Sequence, residues 1–335
     1  MKKSSFFFLL GVLVGLPAGR SLGAQTPYGE QPLAHTYSIV AWDPETGQMG
    51  GAVQSHWFSV GSVVLWGEAG VGVVATQSFV NPAFGPQGLQ LMKIGHPPEE
   101  AVAMLVRQDE GRDYRQLAMV NRRGEVAAYT GAKCIEAAGH HVGEGYSVQA
   151  NLMANDRVWG AMAEAFERSK GQPLAERLVA ALKAAQEAGG DIRGKQSAAL
   201  LVVAPESSGK PWEDRLVDLR VEDHPEPVAE LERLLRLHRA YEHMNRGDLA
   251  VEKGDIEGAL REYRSAERLF PENLEMTYWH AVTLTNVGRL EEALPLFDQV
   301  FRADANWRVL TPRLLKNGLL DVEESALQRI LEQGK

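Results

Sequence analysis

Residues 36–55 read TYSIVAWDPETGQMGGAVQS. Residues 36–42 and 49–55 are rich in β-branched, aromatic and small side chains, and Asp43-Pro44-Glu45-Thr46-Gly47 stands between them. Proline presets a turn φ, aspartate bonds its own main chain, and glycine supplies the left-handed conformation of a tight reversal. The stretch predicts an antiparallel hairpin.

The same pattern continues outward. Residues 60–66 and 71–77 predict a second hairpin through Gly67-Glu68-Ala69-Gly70, and residues 116–120 and 125–130 a third around Asn121-Arg122-Arg123-Gly124. Helical spacing places helices at 87–94 and 98–107, the second with Pro98, Glu99 and Glu100 in its first turn. A strand over 146–152 follows, then amphipathic helices over 156–169 and 173–188, then strands over 197–204 and 215–221. Hairpins dominate, so the sheets are expected to be antiparallel and flanked by helix pairs, an α+β layered domain.

After His224-Pro225-Glu226-Pro227 no strand-like run occurs. Gly254, Ala259, Tyr263 and Ala266 recur as Gly288, Ala293, Phe297 and Val300, each 34 residues on, and Gly247 recurs as Ala281. Small residues let paired helices approach and the aromatic fills the space between them, which predicts tetratricopeptide repeats. The expected division is a signal peptide (1–24), a leader (25–35), an α+β domain (36–225), a linker helix (226–239) and an all-α repeat domain (240–335) of two repeats plus a capping helix.

Length and charge agree with that division. A chain of 335 residues accommodates two domains. Its net charge is −9, and −12 without residues 1–24, which carry Lys2, Lys3, Arg20 and no acid. So acidic a chain, with no basic run, speaks against nucleic acid and against an anionic membrane surface as partners. Lys2-Lys3, an apolar run over 6–16 and Ser21-Leu22-Gly23-Ala24 have the order of a secretory signal peptide. Cleavage near Ala24 and export to the periplasm or beyond are expected, with no membrane span in the mature form. The single cysteine, Cys134, excludes an intrachain disulfide and a Cys-rich zinc site, and burial is its expected protection. His140 and His141 are adjacent, so on a strand they face opposite ways and do not share an ion. No phosphate-binding glycine motif and no G-x-S-x-G elbow occurs. Neither metal nor cofactor is expected.

HTYSIVAWDPETGQMGGAVQSHWFSVGSVV, EAGVGVVATQSFVNPAFGPQGL, TGAKC, GEGYSVQANLM, GGDIRGKQSAALLVV and DRLVDLRVEDHPEPVAEL together resemble, in collinear order over residues 36–238, the family catalogued as domain of unknown function 1028. That family looks like the N-terminal-nucleophile (Ntn) hydrolases. The resemblance implies a four-layer αββα sandwich in which a Thr, Ser or Cys opens the first strand and attacks an amide carbonyl. Its own α-amine, with a pKa of about 8, takes the proton.

Thr36 stands at that position. Signal cleavage near Ala24 would leave residues 25–35 ahead of it, so either the His35–Thr36 bond is cut, by self-processing or by another protease, or the usual amine base is absent. By analogy with the sandwich, the ends of the second and fourth strands lie nearby. They bring Gln54, Ser55, Thr76, Gln77 and Asn81 as candidates to orient the amine or to donate to an oxyanion. Gln149 and Asn151 share a face of one strand. Asp191, Arg193, Lys195, Gln196 and Ser197 crowd a glycine-rich turn, where Arg193 is suited to a carboxylate and Lys195 to lowering a nucleophile's pKa. The proteasome-like lysine of the third strand has no counterpart in residues 60–66.

The expected activity is hydrolysis of an amide or peptide bond, with cell-wall or small peptides as the substrate class. The repeats would recruit another protein or peptide, or a second copy of this chain as a homo-oligomer. The alternative is a non-catalytic scaffold using sandwich and repeats for binding.

Overall fold

The computed structural model describes residues 33–335; the expected signal peptide and residues 25–32 of the leader lie outside the described residues. In chain order the first elements are β1 (Leu33–Ala34), β2 (Thr36–Trp42), β3 (Met49–Ser55), α1 (Gly61–Val64), β4 (Leu65–Glu68) and β5 (Gly72–Phe79). Then come α2 (Phe84–Lys93), α3 (Pro98–Gln108), β6 (Arg115–Asn121), β7 (Val126–Thr130), β8 (Gly139–Gly143) and β9 (Tyr146–Ala150). The α+β part continues with α4 (Val158–Arg168), α5 (Leu174–Glu187), β10 (Ser197–Val203) and β11 (Arg215–Val221). The C-terminal part is all-helical: α6 (Pro227–Glu252), α7 (Ile256–Leu269), α8 (Leu274–Asn286), α9 (Leu290–Ala303), α10 (Asn306–Leu315) and α11 (Glu324–Leu331).

Two antiparallel sheets result. One runs β1-β5-β6-β7, with β4 also on β5; the other runs β11-β10-β3-β2-β9-β8. The opening hairpin forms as read, with Thr36 opposite Ser55 and Trp42 opposite Met49. Alternation sorts its side chains. Tyr37, Ile39 and Ala41 join the core under α4 and α5, while Val40 and Val53 meet Val73, Ala75, Ala118 and Val120 of the other sheet. Helices α2 and α3 cover the outer face of that other sheet through Phe84, Leu89, Leu105, Leu117 and Met119.

One expectation needs correction. Residues 60–66 do not form one strand: they split into α1 and β4. A short apolar run cannot be assigned by periodicity alone, and here Ser197 Oγ accepts from the Val60 amide at 3.0 Å, tying the chain into a turn at that point. Strand β8 was not anticipated. Its sequence GHHVG has two glycines and stands largely exposed at a sheet edge, so it carries no burial pattern to read.

Helix α6 runs unbroken across residue 240. Val228, Leu231 and Leu235 belong to the core of the α+β part, whereas Ala240 and Met244 belong to that of the helical part. Arg239 bonds Glu176 of α5 at 2.8 and 3.0 Å, and Lys183 of α5 bonds Glu232 at 2.8 Å. Within the helical part, positions 34 residues apart have matching surroundings. Ala259 and Ala293 are buried, as are Tyr263 and Phe297, and Gly254 and Gly288 both take positive φ (75° and 78°) after a helix. Gly247 lies against Tyr263, where a Cβ would come within 2.4 Å of the ring.

Candidate functional site

At one end of the space between the sheets the apolar core gives way to a buried polar cluster. Its side chains alternate inward from β2, β3, β5, β6 and β9: Thr36, Ser38, Ser55, Gln77, Gln116, Ser147, Gln149 and the adjoining Asn151. All are fully buried. Buried polar groups persist only when they are hydrogen-bonded, and these are.

Ser147 Oγ donates to Gln149 Oε1 (2.9 Å), and Gln149 Nε2 to Ser38 Oγ (2.6 Å). Ser38 in turn donates to Gln77 Oε1 (2.5 Å), and Gln77 Nε2 donates to Gln116 Oε1 (2.7 Å). Asn151 Nδ2 donates to the same Gln116 oxygen (2.9 Å), and Asn151 Oδ1 meets His35 Nδ1 at 2.8 Å. Gln116 Nε2 reaches Thr130 Oγ1 and the Ala150 carbonyl, each at 2.9 Å. The chain crosses both sheets and ends on the residue before Thr36.

Thr36 is held from several sides. Its carbonyl accepts from the Asn151 amide (3.1 Å) and Gln77 Nε2 (3.3 Å). Its hydroxyl donates to the Ala34 carbonyl at 2.7 Å. The His35 carbonyl, one bond away, accepts from Ser55 Oγ (2.5 Å) and Arg193 Nη2 (2.8 Å). Two donors, one cationic, thus converge on the carbonyl of the His35–Thr36 bond, where an oxyanion would form if Thr36 Oγ attacked it. Asp191 fixes the guanidinium at 2.6 and 3.0 Å and accepts the Arg193 amide at 2.9 Å; Gly194, at φ +116°, lets the loop turn here.

The residues before Thr36 close the site. Strand β1 pairs with the end of β5, Leu33 opposite Phe79 and Ala34 opposite Ser78. His35 is 3% exposed, and its ring forms a T-shaped pair with that of Phe79, centroids 5.2 Å apart. Arg115 Nη1 donates to the Phe79 carbonyl at 2.5 Å, and its Nε to Asp109 at 2.6 Å, fixing that wall. Ser78 and Leu152, which directly follow Gln77 and Asn151, take positive φ (73° and 60°). Such backbone costs about 1–3 kcal/mol per residue and tends to collect at functional sites.

Burial lowers the His35 pKa below its ordinary value, partly countered by the Asn151 bond, with Arg193 lowering it further. The fold therefore holds neutral imidazole, while an unfolded chain takes up a proton below about pH 6.5. In a chain retaining residues 33–35, stability is expected to fall as pH drops below about 6.5, where the unfolded chain binds the proton that the fold disfavours. Urea midpoints check this: the fall should shrink in His35→Gln, and an equal fall in both would refute the assignment.

Of the residues expected from sequence, Thr36, Ser55, Gln77, Gln149, Asn151, Asp191 and Arg193 come together. The others do not. Gln54 shares the helix-facing side with Ala52, buried, its amide atoms without a hydrogen-bond partner among the described residues. Thr76 also points away from the cluster and donates to the Asn81 carbonyl (3.2 Å), and Asn81 Oδ1 caps the Ala83 amide (3.2 Å). Lys195 pairs with Glu226 (2.6 Å), and Gln196 Nε2 with Asp223 (3.2 Å). Ser197 Oγ donates to the Trp57 carbonyl and braces the turn before α1. The cluster also takes in His35, Ser38, Gln116 and Ser147: period-two alternation from Thr36 and Gln149 leads to Ser38 and Ser147, whereas Gln116 joins as the cross-strand partner of Gln77.

Cys134 is buried, and burial raises its thiol pKa. Among the described residues, no cluster of three or more His, Cys, Asp or Glu could hold a metal ion. Nor is any helix there long and apolar enough to cross a membrane.

The model of a family described as a family of unknown function (DUF1028) matches residues 36–231. The crystal structure of a Silicibacter pomeroyi protein carrying the same family model is similar, with 38% identity and a TM-score of 0.55, over 61% of this chain and 85% of that one. No curated protein matches the chain.

Proposed function

This chain belongs to the DUF1028 family of unknown function, and we propose that its α+β part is an Ntn-type αββα amidohydrolase that frees its own nucleophile. One observation carries the reading: the carbonyl joining residue 35 to Thr36 is gripped by Ser55 Oγ and Arg193 Nη2. In self-processing, Thr36 Oγ bonds to the His35 carbonyl carbon while the C–N bond breaks, and the hydroxyl proton ends on the nitrogen. Water then hydrolyses the ester, leaving a His35 carboxylate and a free Thr36 α-amine.

In turnover the same hydroxyl attacks a substrate amide carbonyl. The α-amine takes its proton and passes it to the leaving amine, and water releases the acyl group. Ser55 and Arg193 hold the oxyanion both times, and the glutamine network fixes Thr36 from behind.

In this reading the protein is exported, and its helical part is a tetratricopeptide module that recruits a protein or peptide. The matching surroundings of positions 34 residues apart support the module. Cell-wall or small peptides are the substrate class that export favours.

Intact-mass and N-terminal sequencing of the purified exported protein test the reading. A start at Thr36 is expected, with Ser55→Ala slowing release of the leader about 10²-fold. A fully competent protein still carrying His35 would overturn it. A second reading, a non-catalytic scaffold, draws on the complete burial of Thr36 beneath β1, and that outcome would favour it.

A further inference from the structure

We propose that the seat of His35 is the acyl-side specificity pocket of the mature site. It would take an extended peptide whose residue on the carbonyl side of the cleaved bond carries a neutral ring with an N–H donor, histidine foremost. This rests on the reading of Thr36 as nucleophile.

Residues 33–35 already lie as such a substrate would. The backbone runs antiparallel along the end of β5, the carbonyl sits between Ser55 Oγ and Arg193 Nη2, and the ring is enclosed. When they leave, the β5 edge at Ser78 and Phe79 is open to another strand. The same two donors then require an incoming carbonyl in the same place, which puts its side chain in the vacated ring pocket.

Asn151 sets the chemistry of that pocket. Its Nδ2 is committed to Gln116 Oε1, so its Oδ1 faces the imidazole as an acceptor. A buried acceptor left without a donor is costly, which rejects a plain phenyl ring or a methyl group. Phe79 and the imidazole form a T-shaped pair, at an interplanar angle of 89°, a geometry that suits a flat group. The Arg193 charge is offset by Asp191, so the pocket does not call for a charged side chain.

The test uses the full-length processed protein and fluorogenic peptides Pro-Leu-Ala-X on an aminocoumarin, where X is His, Phe, Gln or Ala. His should exceed Phe and Ala by about 10²-fold in kcat/KM, and Asn151→Leu should collapse the His-to-Phe ratio. If that variant fails to fold, leader release in the intact chain gives the same information: His35→Phe should slow it about 10²-fold and His35→Gln, which keeps a donor, much less. Equal rates for His, Phe and Ala, or equal release from both His35 variants, overturn the pocket. Labelling of Thr36 by a β-lactone separates the two ideas. Labelling without His preference sinks the pocket alone, and absence of labelling sinks the nucleophile and the pocket with it.

Discussion

Thr36→Ala is expected to leave residue 36 joined to His35 and to lower amide hydrolysis by on the order of 10⁴-fold or more. The methyl group that remains cannot bond to a carbonyl carbon, and without cleavage no α-amine appears to act as base. The fold should survive. The hydroxyl makes one hydrogen bond, to the Ala34 carbonyl, and its loss costs about 1 kcal/mol. A loss of activity with a near-unchanged melting temperature therefore reports chemistry. Thr36→Ser keeps the oxygen and should restore cleavage and turnover. Intact mass and a peptide assay on the three proteins decide the matter, and wild-type leader release in Thr36→Ala would refute the mechanism.

Gln116→Leu should cost about 4 kcal/mol of stability, although leucine nearly matches glutamine in size. The Gln116 oxygen accepts from Gln77 and Asn151, and its nitrogen donates to Thr130 and the Ala150 carbonyl. Removing it strands donors and acceptors on both sheets in a place closed to water. Urea unfolding measures the effect, and a loss below about 1 kcal/mol would show that the network contributes little. Activity should fall as well, since Gln77 and Asn151 both hold the Thr36 carbonyl.

Much of this architecture was legible in the residues. The turn Asp43–Gly47 separates two alternating runs, and alternation alone assigns Thr36, Ser38 and Val40 to one face and Tyr37, Ile39 and Ala41 to the other. The site was legible where a polar residue interrupts an inward-facing apolar row, as at Gln77 after Val73 and Ala75, and where polar residues share one face of a strand, as at Gln149 and Asn151. Arg193 stood out because charge, glycine and a strand entry coincide. Gln54 and Thr76 misled for a reason internal to strands: one step in register moves a side chain to the opposite face, so proximity in sequence to Ser55 and Gln77 says nothing of proximity in space. The role of His35 was not legible, because the pairing of its neighbours with β5 joins segments more than forty residues apart and leaves no local trace.

Helix α6 has a mechanical consequence. Twenty-six unbroken residues make a rod of about 39 Å at ~1.5 Å per residue, with its first turns seated among sheet and helices and its last among the C-terminal helices. A rod anchored at both ends is a strut and not a tether. If the proposed function holds, a molecule bound by the C-terminal helices would be carried at a set distance and bearing from residue 36, and the protein would work like a ruler, choosing which bond of that molecule comes within reach.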